Sequence, residues 1–203
     1  MSNDVTADSF RITVYASSSE RIDPGYKLIA EELGRRIAER GCELVWGGGR
    51  YGLMGAVSKG AREAGGRTIG VILQEFIDKN VHCEGANEMA SVNDMRVRKR
   101  GLAERGDAFV ALPGGLGTLE EILEILSFKQ LGFHDRPVVF LDALGFWQPL
   151  LTALEHGFDG GFIQDHYRGI YTVARSPEQV IEQIENTPPF VPGGHDERGG
   201  GTA

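Results

Sequence analysis

The sequence predicts an α/β fold, a single domain on a doubly wound parallel sheet with helices on both faces. Three observations predict it. Short apolar runs alternate with helical patterns about six times along the chain, as strand–helix–strand crossovers require. Glycine supplies 29 of 203 residues, about twice the usual ~7%, and gathers where the predicted strands end. At ~150 residues per domain the length corresponds to slightly more than one.

Taken in order, 10–16 (FRITVYA) reads as the first strand. Pro24 suits a first helical turn, and 26–40 carries Leu28, Ile29, Leu33 and Ile37 on one face, with Gly41 as the stop. The second strand is 42–46 (CELVW), closed by Gly47, Gly48 and Gly49. A small-residue helix over 53–64 ends at Gly65 and Gly66, and 68–73 (TIGVIL) is the third strand. Residues 74–92 show no clear period and read as a functional loop or a broken helix. Asn93 is placed to cap a helix over 94–105.

The fourth strand, 107–112 (DAFVAL), runs into a glycine-rich turn at 113–118 and then a helix over 119–131. A fifth strand at 137–141, a helix at 147–158, a sixth strand at 169–173 and a last helix at 176–184, opened by Ser176 and Pro177, complete the pattern. This is a Rossmann-like arrangement spanning 10–187. A flexible N-terminus over 1–9 and a disordered tail over 188–203 (from Pro188, PFVPGGHDERGGGTA) flank it. Ligands in such sheets bind beyond the carboxyl ends of the strands, where the strand order reverses.

The chemistry available is narrowed by charge. With 21 basic against 29 acidic residues, the net charge of -8 repels a polyanion, so nucleic acid is not an expected partner. The start of the chain is polar and acidic, and no apolar run approaches the ~18 residues of a membrane span. Cys42 and Cys83 lack metal or disulfide spacing and read as reduced thiols, so a cytoplasmic protein without a membrane partner or a metal is expected.

The strongest constellation is Pro113-Gly114-Gly115-Leu116-Gly117-Thr118, followed by Leu119, Glu120 and Glu121. Glycines let several N–H groups converge on one anion, and the helix start adds about half a positive charge. A phosphate is the natural guest, against the plainer reading of a packed strand-to-helix turn. The Walker and dinucleotide fingerprints are both absent. Glu121 can point back over the loop. A carboxylate there suits ribose hydroxyls and positive charge growing at C1', as in glycosidic cleavage.

The run Met95-Arg96-Val97-Arg98-Lys99-Arg100 is strongly basic in an acidic protein. It reads either as a solvated face or, because Met95, Arg98 and Leu102 share one side of a helix, as an inward-facing arginine for a phosphate, a base or a carboxylate. Gly47 to Gly55 (GGGRYGLMG) reads equally as close packing or as ligand contact. His134-Asp135 is a structural loop pair or a catalytic one.

These three motifs together resemble those of the Lonely Guy (LOG) family, cytokinin riboside 5'-monophosphate phosphoribohydrolases long mislabelled as lysine decarboxylases. Gly47 to Gly55 is similar to the family's GGGxxGLMG, Met95 to Lys99 to its MxxRK, and Pro113 to Glu121 to its PGGxGTxxE. The resemblance implies hydrolysis of the N-glycosidic bond of a nucleoside 5'-monophosphate, without a cofactor. It implies Arg98 and Glu121 as the catalytic pair. Substrate binding falls to Met95, Lys99, Gly114, Gly115, Leu116, Gly117, Thr118, Glu120 and Ser127, with further contact from Gly48, Gly49 and Asn80. It also implies a homodimer with sites near the interface.

The sequence departs from the family at Tyr15-Ala16-Ser17-Ser18, where Cys-Gly-Ser is frequent, and at Leu73, where proline is common. Asn80 replaces a substrate-contacting glutamate, and Phe128-Lys129 stand where Trp-Ala is frequent. A carrier of a phosphorylated ligand, a general nucleotide nucleosidase and a pyridoxal-phosphate decarboxylase are the competing readings.

Overall fold

A β-branched and aromatic run, Arg11–Tyr15, forms β1 of the computed structural model, which describes residues 9–190. Helix α1 (Pro24–Glu39) starts on Asp23, whose carboxylate accepts from Gly25 N–H. Then follow β2 (Glu43–Trp46), α2 (Gly52–Glu63), β3 (Thr68–Leu73), the short α3 (Gln74–Asp78) and β4 (Glu88–Val92). The second half comprises α4 (Met95–Arg105), β5 (Ala108–Ala111), α5 (Leu116–Gln130), β6 (Val138–Leu141), α6 (Gln148–Asp159), β7 (Thr172–Ala174) and α7 (Pro177–Asn186). None of these helices is long and apolar enough to cross a membrane.

The described residues form one sheet of seven strands, in the order β4-β3-β2-β1-β5-β6-β7. Every pairing is parallel. The order reverses between β1 and β5, where Thr13 pairs with Phe109 and Tyr15 with Ala111. Both layers of helices are present. Leu33 and Ile37 of α1, Val57 of α2 and Val180 of α7 cover one face. Leu102 of α4, Ile122 and Ile125 of α5 and Trp147 cover the other. Helices α1 and α2 approach so closely that a Cβ on Gly34 would stand 1.9 Å from the Val57 carbonyl oxygen.

The count of strands corrects the expectation of six. The missed strand, β4, lies at the sheet edge with Leu73 opposite Val92. An edge strand has one unpaired side, so its residues need not form an apolar run. Glu88 and Ser91 are exposed there, and only Val92 is β-branched. Helix α4 is capped by Asp94, not Asn93: the Asp94 carboxylate accepts from the N–H groups of Arg96 and Val97. Helix α5 begins at Leu116, inside the glycine-rich segment, earlier than its apolar periodicity indicates.

Lys129 of α5 is 1% exposed, and its ammonium lies 5.4 Å from the ring centroid of Phe190. Phe190 itself packs against the α4–α6 layer. The rest of the predicted tail, 191–203, and residues 1–8 of the N-terminus lie outside the described residues.

Candidate active site

The sheet reversal opens a cleft of about 320 Å³ beyond the carboxyl ends of β1 and β5. Its walls come from four places. The end of β1 gives Tyr15 and the turn Ser17–Ser19, β2 gives Gly47, α4 gives Arg98, and the start of α5 gives Gly115, Gly117, Thr118 and Glu121. Met54 and Phe76 complete the lining toward the other strands.

Arg98 is 8% exposed. Its Nη1 donates to Oε1 of Glu121 at 2.9 Å, its Nε to the Val71 carbonyl at 3.1 Å, and its Nη2 to the Gly47 carbonyl at 3.4 Å. Three separate elements therefore hold one planar guanidinium, which a lysine could not satisfy. Burial pushes the Glu121 carboxyl above its ordinary 4.5, and the neighbouring Arg98 charge opposes that rise without cancelling it.

The start of α5 is open. Gly115 occupies the N-cap position and offers no side-chain bond, whereas α1, α4 and α7 begin on Asp23, Asp94 and Ser176. The N–H groups of Leu116, Gly117 and Thr118 find no acceptor among the described residues, nor does the Thr118 hydroxyl find a partner there. Helix α2 at the same end of the sheet is already occupied, because Leu53 and Met54 N–H both donate to the Ser17 carbonyl. An anion entering the cleft thus meets the unsatisfied helix start of α5.

The motif residues divide. Arg98, Gly115, Gly117, Thr118 and Glu121 meet in the cleft. Gly114 lies beneath, where a Cβ would stand 2.1 Å from Thr118 Oγ1. Leu116, 87% exposed, and Met95, 43% exposed, face solvent, and Met95 Sδ is 3.9 Å from Arg98 Nη1. Lys99 bonds Glu120 at 2.7 Å and Glu124 at 3.1 Å, tying α4 to α5 beside the cleft rather than lining it. Those two hydrogen bonds, Glu120 foremost, raise its amine above the ordinary value.

Gly48 and Gly49 are buried and do not line the cleft. Gly48 has φ +74 and would crowd Met89 Sδ at 2.9 Å with any Cβ. Asn80 is exposed after α3, at φ 53. Ser127 is exposed further along α5 and donates to the Leu123 carbonyl. His134 lies outside the cleft: Nε2 is 3.0 Å from the Ile125 carbonyl, Nδ1 accepts from Arg136 N–H, and the ring leans on Phe109. That is a structural loop histidine, and burial lowers its pKa.

Sequence reasoning passed over Tyr15, Ser17–Ser19 and Phe76 as cleft residues, whereas Gly47 and Met54, which line it, fall in the Gly47–Gly55 run that reads equally as packing or as ligand contact. For the serines a signal existed: three consecutive hydroxyls follow the first strand, at the carboxyl end where ligands bind.

A family model described as "Possible lysine decarboxylase" matches residues 54–184. The cytokinin riboside 5'-monophosphate phosphoribohydrolase LOG of Oryza sativa subsp. japonica is 40% identical over 88% of this chain and 74% of its own. LOG5 of Arabidopsis thaliana is 39% identical over 86% and 77%. Among solved structures, the molybdenum cofactor binding protein of Rippkaea orientalis superposes with TM-score 0.66 at 27% identity, covering 87% of this chain and 96% of its own. The molybdenum cofactor carrier protein of Chlamydomonas reinhardtii gives 0.65 at 25%, over 87% and 96%.

Proposed function

The chain belongs to the LOG family of cytokinin riboside 5'-monophosphate phosphoribohydrolases, and we propose that it hydrolyses the N-glycosidic bond of an N6-modified adenosine 5'-monophosphate to free base and ribose 5-phosphate. One observation carries the reading. A buried Arg98–Glu121 pair, 2.9 Å apart, shares a cleft with the uncapped start of α5.

The 5'-phosphate sits on the N–H groups of Leu116, Gly117 and Thr118 and on the Thr118 hydroxyl. Binding energy from this remote group orients the sugar. Glu121 accepts from the ribose hydroxyls and stabilises positive charge growing at C1' as the bond to the base lengthens. Water adds at C1' and releases one proton to the solvent as the bond to the base breaks, and the base, leaving with the bonding pair, takes up one proton from solvent water in the open cleft and departs as the neutral N–H species. Arg98 holds the Glu121 carboxylate and neutralises charge developing on the base. It serves electrostatically, because a guanidinium keeps its proton.

Met95 and Leu116 provide an apolar lip for the base. Lys99, through Glu120 and Glu124, fixes the distance between α4 and α5. The domain over 10–187 acts as a homodimer in the cytoplasm. The exposed Leu131 and Phe133 beyond α5 support the pairing. No lysine lines the cleft among the described residues, so a Schiff-base decarboxylation has no amine to use there.

The test is turnover with adenosine monophosphate and isopentenyladenosine monophosphate in parallel, scored as free base by chromatography, with Glu121→Gln as control. Faster release from the prenylated substrate, lost in the variant, is expected. Equal rates would indicate a general nucleotide nucleosidase. Likeness to the molybdenum cofactor proteins favours one second reading, a carrier. It predicts tight binding of a phosphorylated ligand with no turnover.

A further inference from the structure

Aromatic rings inside the fold have partners. Phe140 meets Trp147 edge-on at 5.1 Å, Phe109 stacks on Tyr15 at 6.3 Å, and Phe158 lies under the Arg168 guanidinium. Phe76, half-buried on α3, differs. Among the described residues its ring meets no other ring and no cation, and it is not one of the apolar side chains packed against either core. It lines the cleft instead.

Its place there is set by the backbone. Helix α3 follows directly on β3, whose Val71 carbonyl accepts from Arg98. The Phe76 carbonyl accepts from Val81 N–H at 3.1 Å, after Asn80 has turned the chain at φ 53. Gln74 Oε1 accepts from the Ser91 hydroxyl of β4 at 2.6 Å, and Gln74 Nε2 donates to Asp78 at 2.9 Å. A short helix pinned to the sheet edge thus holds an aromatic side chain at the cleft, where packing gives it no other task.

Two rings line this cleft, Tyr15 and Phe76. Tyr15 is 3% exposed and stacked on Phe109, with 10° between the planes. Phe76 is the one with ring surface left for a flat guest. With the phosphate on the start of α5 and the ribose over Glu121, both from the segment after β5, the base is the part of the nucleotide still to be placed. Gly47, Met54 and Phe76 line the cleft from the segments after β2 and β3, and none of them carries a charge.

We propose that Phe76 determines base specificity: its ring is the platform on which the base stacks, and the larger face of a purine makes the site favour purine over pyrimidine nucleoside monophosphates. This rests on the placement of phosphate and ribose given above. Stacking needs no hydrogen bond to the base, so the platform accepts a substituent on N6.

The test is equilibrium binding by calorimetry in a Glu121→Gln background, where turnover does not intrude. The probes are adenosine monophosphate, cytidine monophosphate and ribose 5-phosphate, which has the anion and sugar without a base. Phe76→Leu keeps an apolar side chain and removes the aromatic face. It is expected to weaken adenosine monophosphate roughly 5- to 100-fold and cytidine monophosphate less, with ribose 5-phosphate within about twofold. Phe76→Trp enlarges the face and adds a reporter, whose fluorescence adenosine monophosphate quenches and ribose 5-phosphate does not. Unchanged affinity for adenosine monophosphate in Phe76→Leu, or an equal loss for ribose 5-phosphate, overturns the proposal. Equal quenching by the two ligands in Phe76→Trp overturns it as well. A protein with Glu121 intact that turns over neither adenosine monophosphate nor its prenylated form, while Phe76→Leu still loses adenosine monophosphate selectively, overturns the hydrolase reading and leaves the platform standing.

Discussion

Gly47 and Arg98 interlock: a Cβ on Gly47 would stand 2.4 Å from Nη2 of the guanidinium. The end of β2 is bare so that an arginine from α4 can lie across it and reach Glu121. The first prediction follows. Gly47→Ala pushes Arg98 away from Glu121 and lowers kcat/KM by roughly 10- to 100-fold, because misplacement by ~1 Å is costly at a reacting centre. Steady-state kinetics beside a thermal melt checks it. A variant with normal kinetics would show that Arg98 needs no such room.

The two members of the ion pair respond oppositely to removal. Glu121 titrates above its ordinary 4.5, so the fold disfavours its charge. Glu121→Gln therefore remains within about 1 kcal/mol of wild-type stability while losing activity. Arg98→Met strands a buried carboxylate and costs about 2–4 kcal/mol at neutral pH. In that variant the folded pKa of Glu121 lies higher still, above its unfolded value. Stability is regained as pH falls through that folded pKa and lost again as pH rises through it. Urea titrations of both variants across the acid range decide this.

Within the phosphate loop, neighbouring glycines have different duties. A Cβ on Gly114 collides with Thr118, whereas one on Gly115 meets nothing within 4 Å. Gly114→Ala is expected to disturb the empty protein and lower its melting temperature. Gly115→Ala leaves the melt unchanged and weakens nucleotide binding, because the new methyl occupies space the ligand needs. Calorimetric titration with adenosine monophosphate separates the two. Equal affinities for Gly115→Ala and wild type would place the phosphate elsewhere.

Burial pushes the Lys129 amine down to about 8 from 10.5, with Asp135 acting in the opposite direction. A lysine bound less tightly to its proton when folded subtracts stability below about pH 8. That penalty fades as pH rises toward 10.5. Lys129→Met should stabilise the protein at neutral pH by about 1–2 kcal/mol, less than the displacement alone implies, because the ring of Phe190 compensates the cation. The gap between variant and wild type should close above about pH 8. Paired denaturation curves at neutral and alkaline pH measure it.

Most of the architecture was legible because strands buried on both faces read as unbroken apolar runs, as in TIGVIL for β3. The edge strand β4 carries Glu88, Ala90 and Ser91, so pattern alone did not reveal it. Likewise Leu116 and Gly117 break apolar periodicity, yet they are the first turn of α5. In the cleft, Arg98, Thr118 and Glu121 could be read from chemistry, since an anion site and a carboxylate are signalled by residue type. Tyr15 could not, because its place there comes from the pairing of β1 with β5, and the glycine run at Gly47 left packing and ligand contact equally open.

Helix α5 begins without a side-chain cap. On the phosphate seat proposed above, a ligand finishes a helix as well as occupying a hole, and so tightens the scaffold that grips it. Ribose 5-phosphate carries the same anion, so that seat predicts competition from the product and, more weakly, from inorganic phosphate.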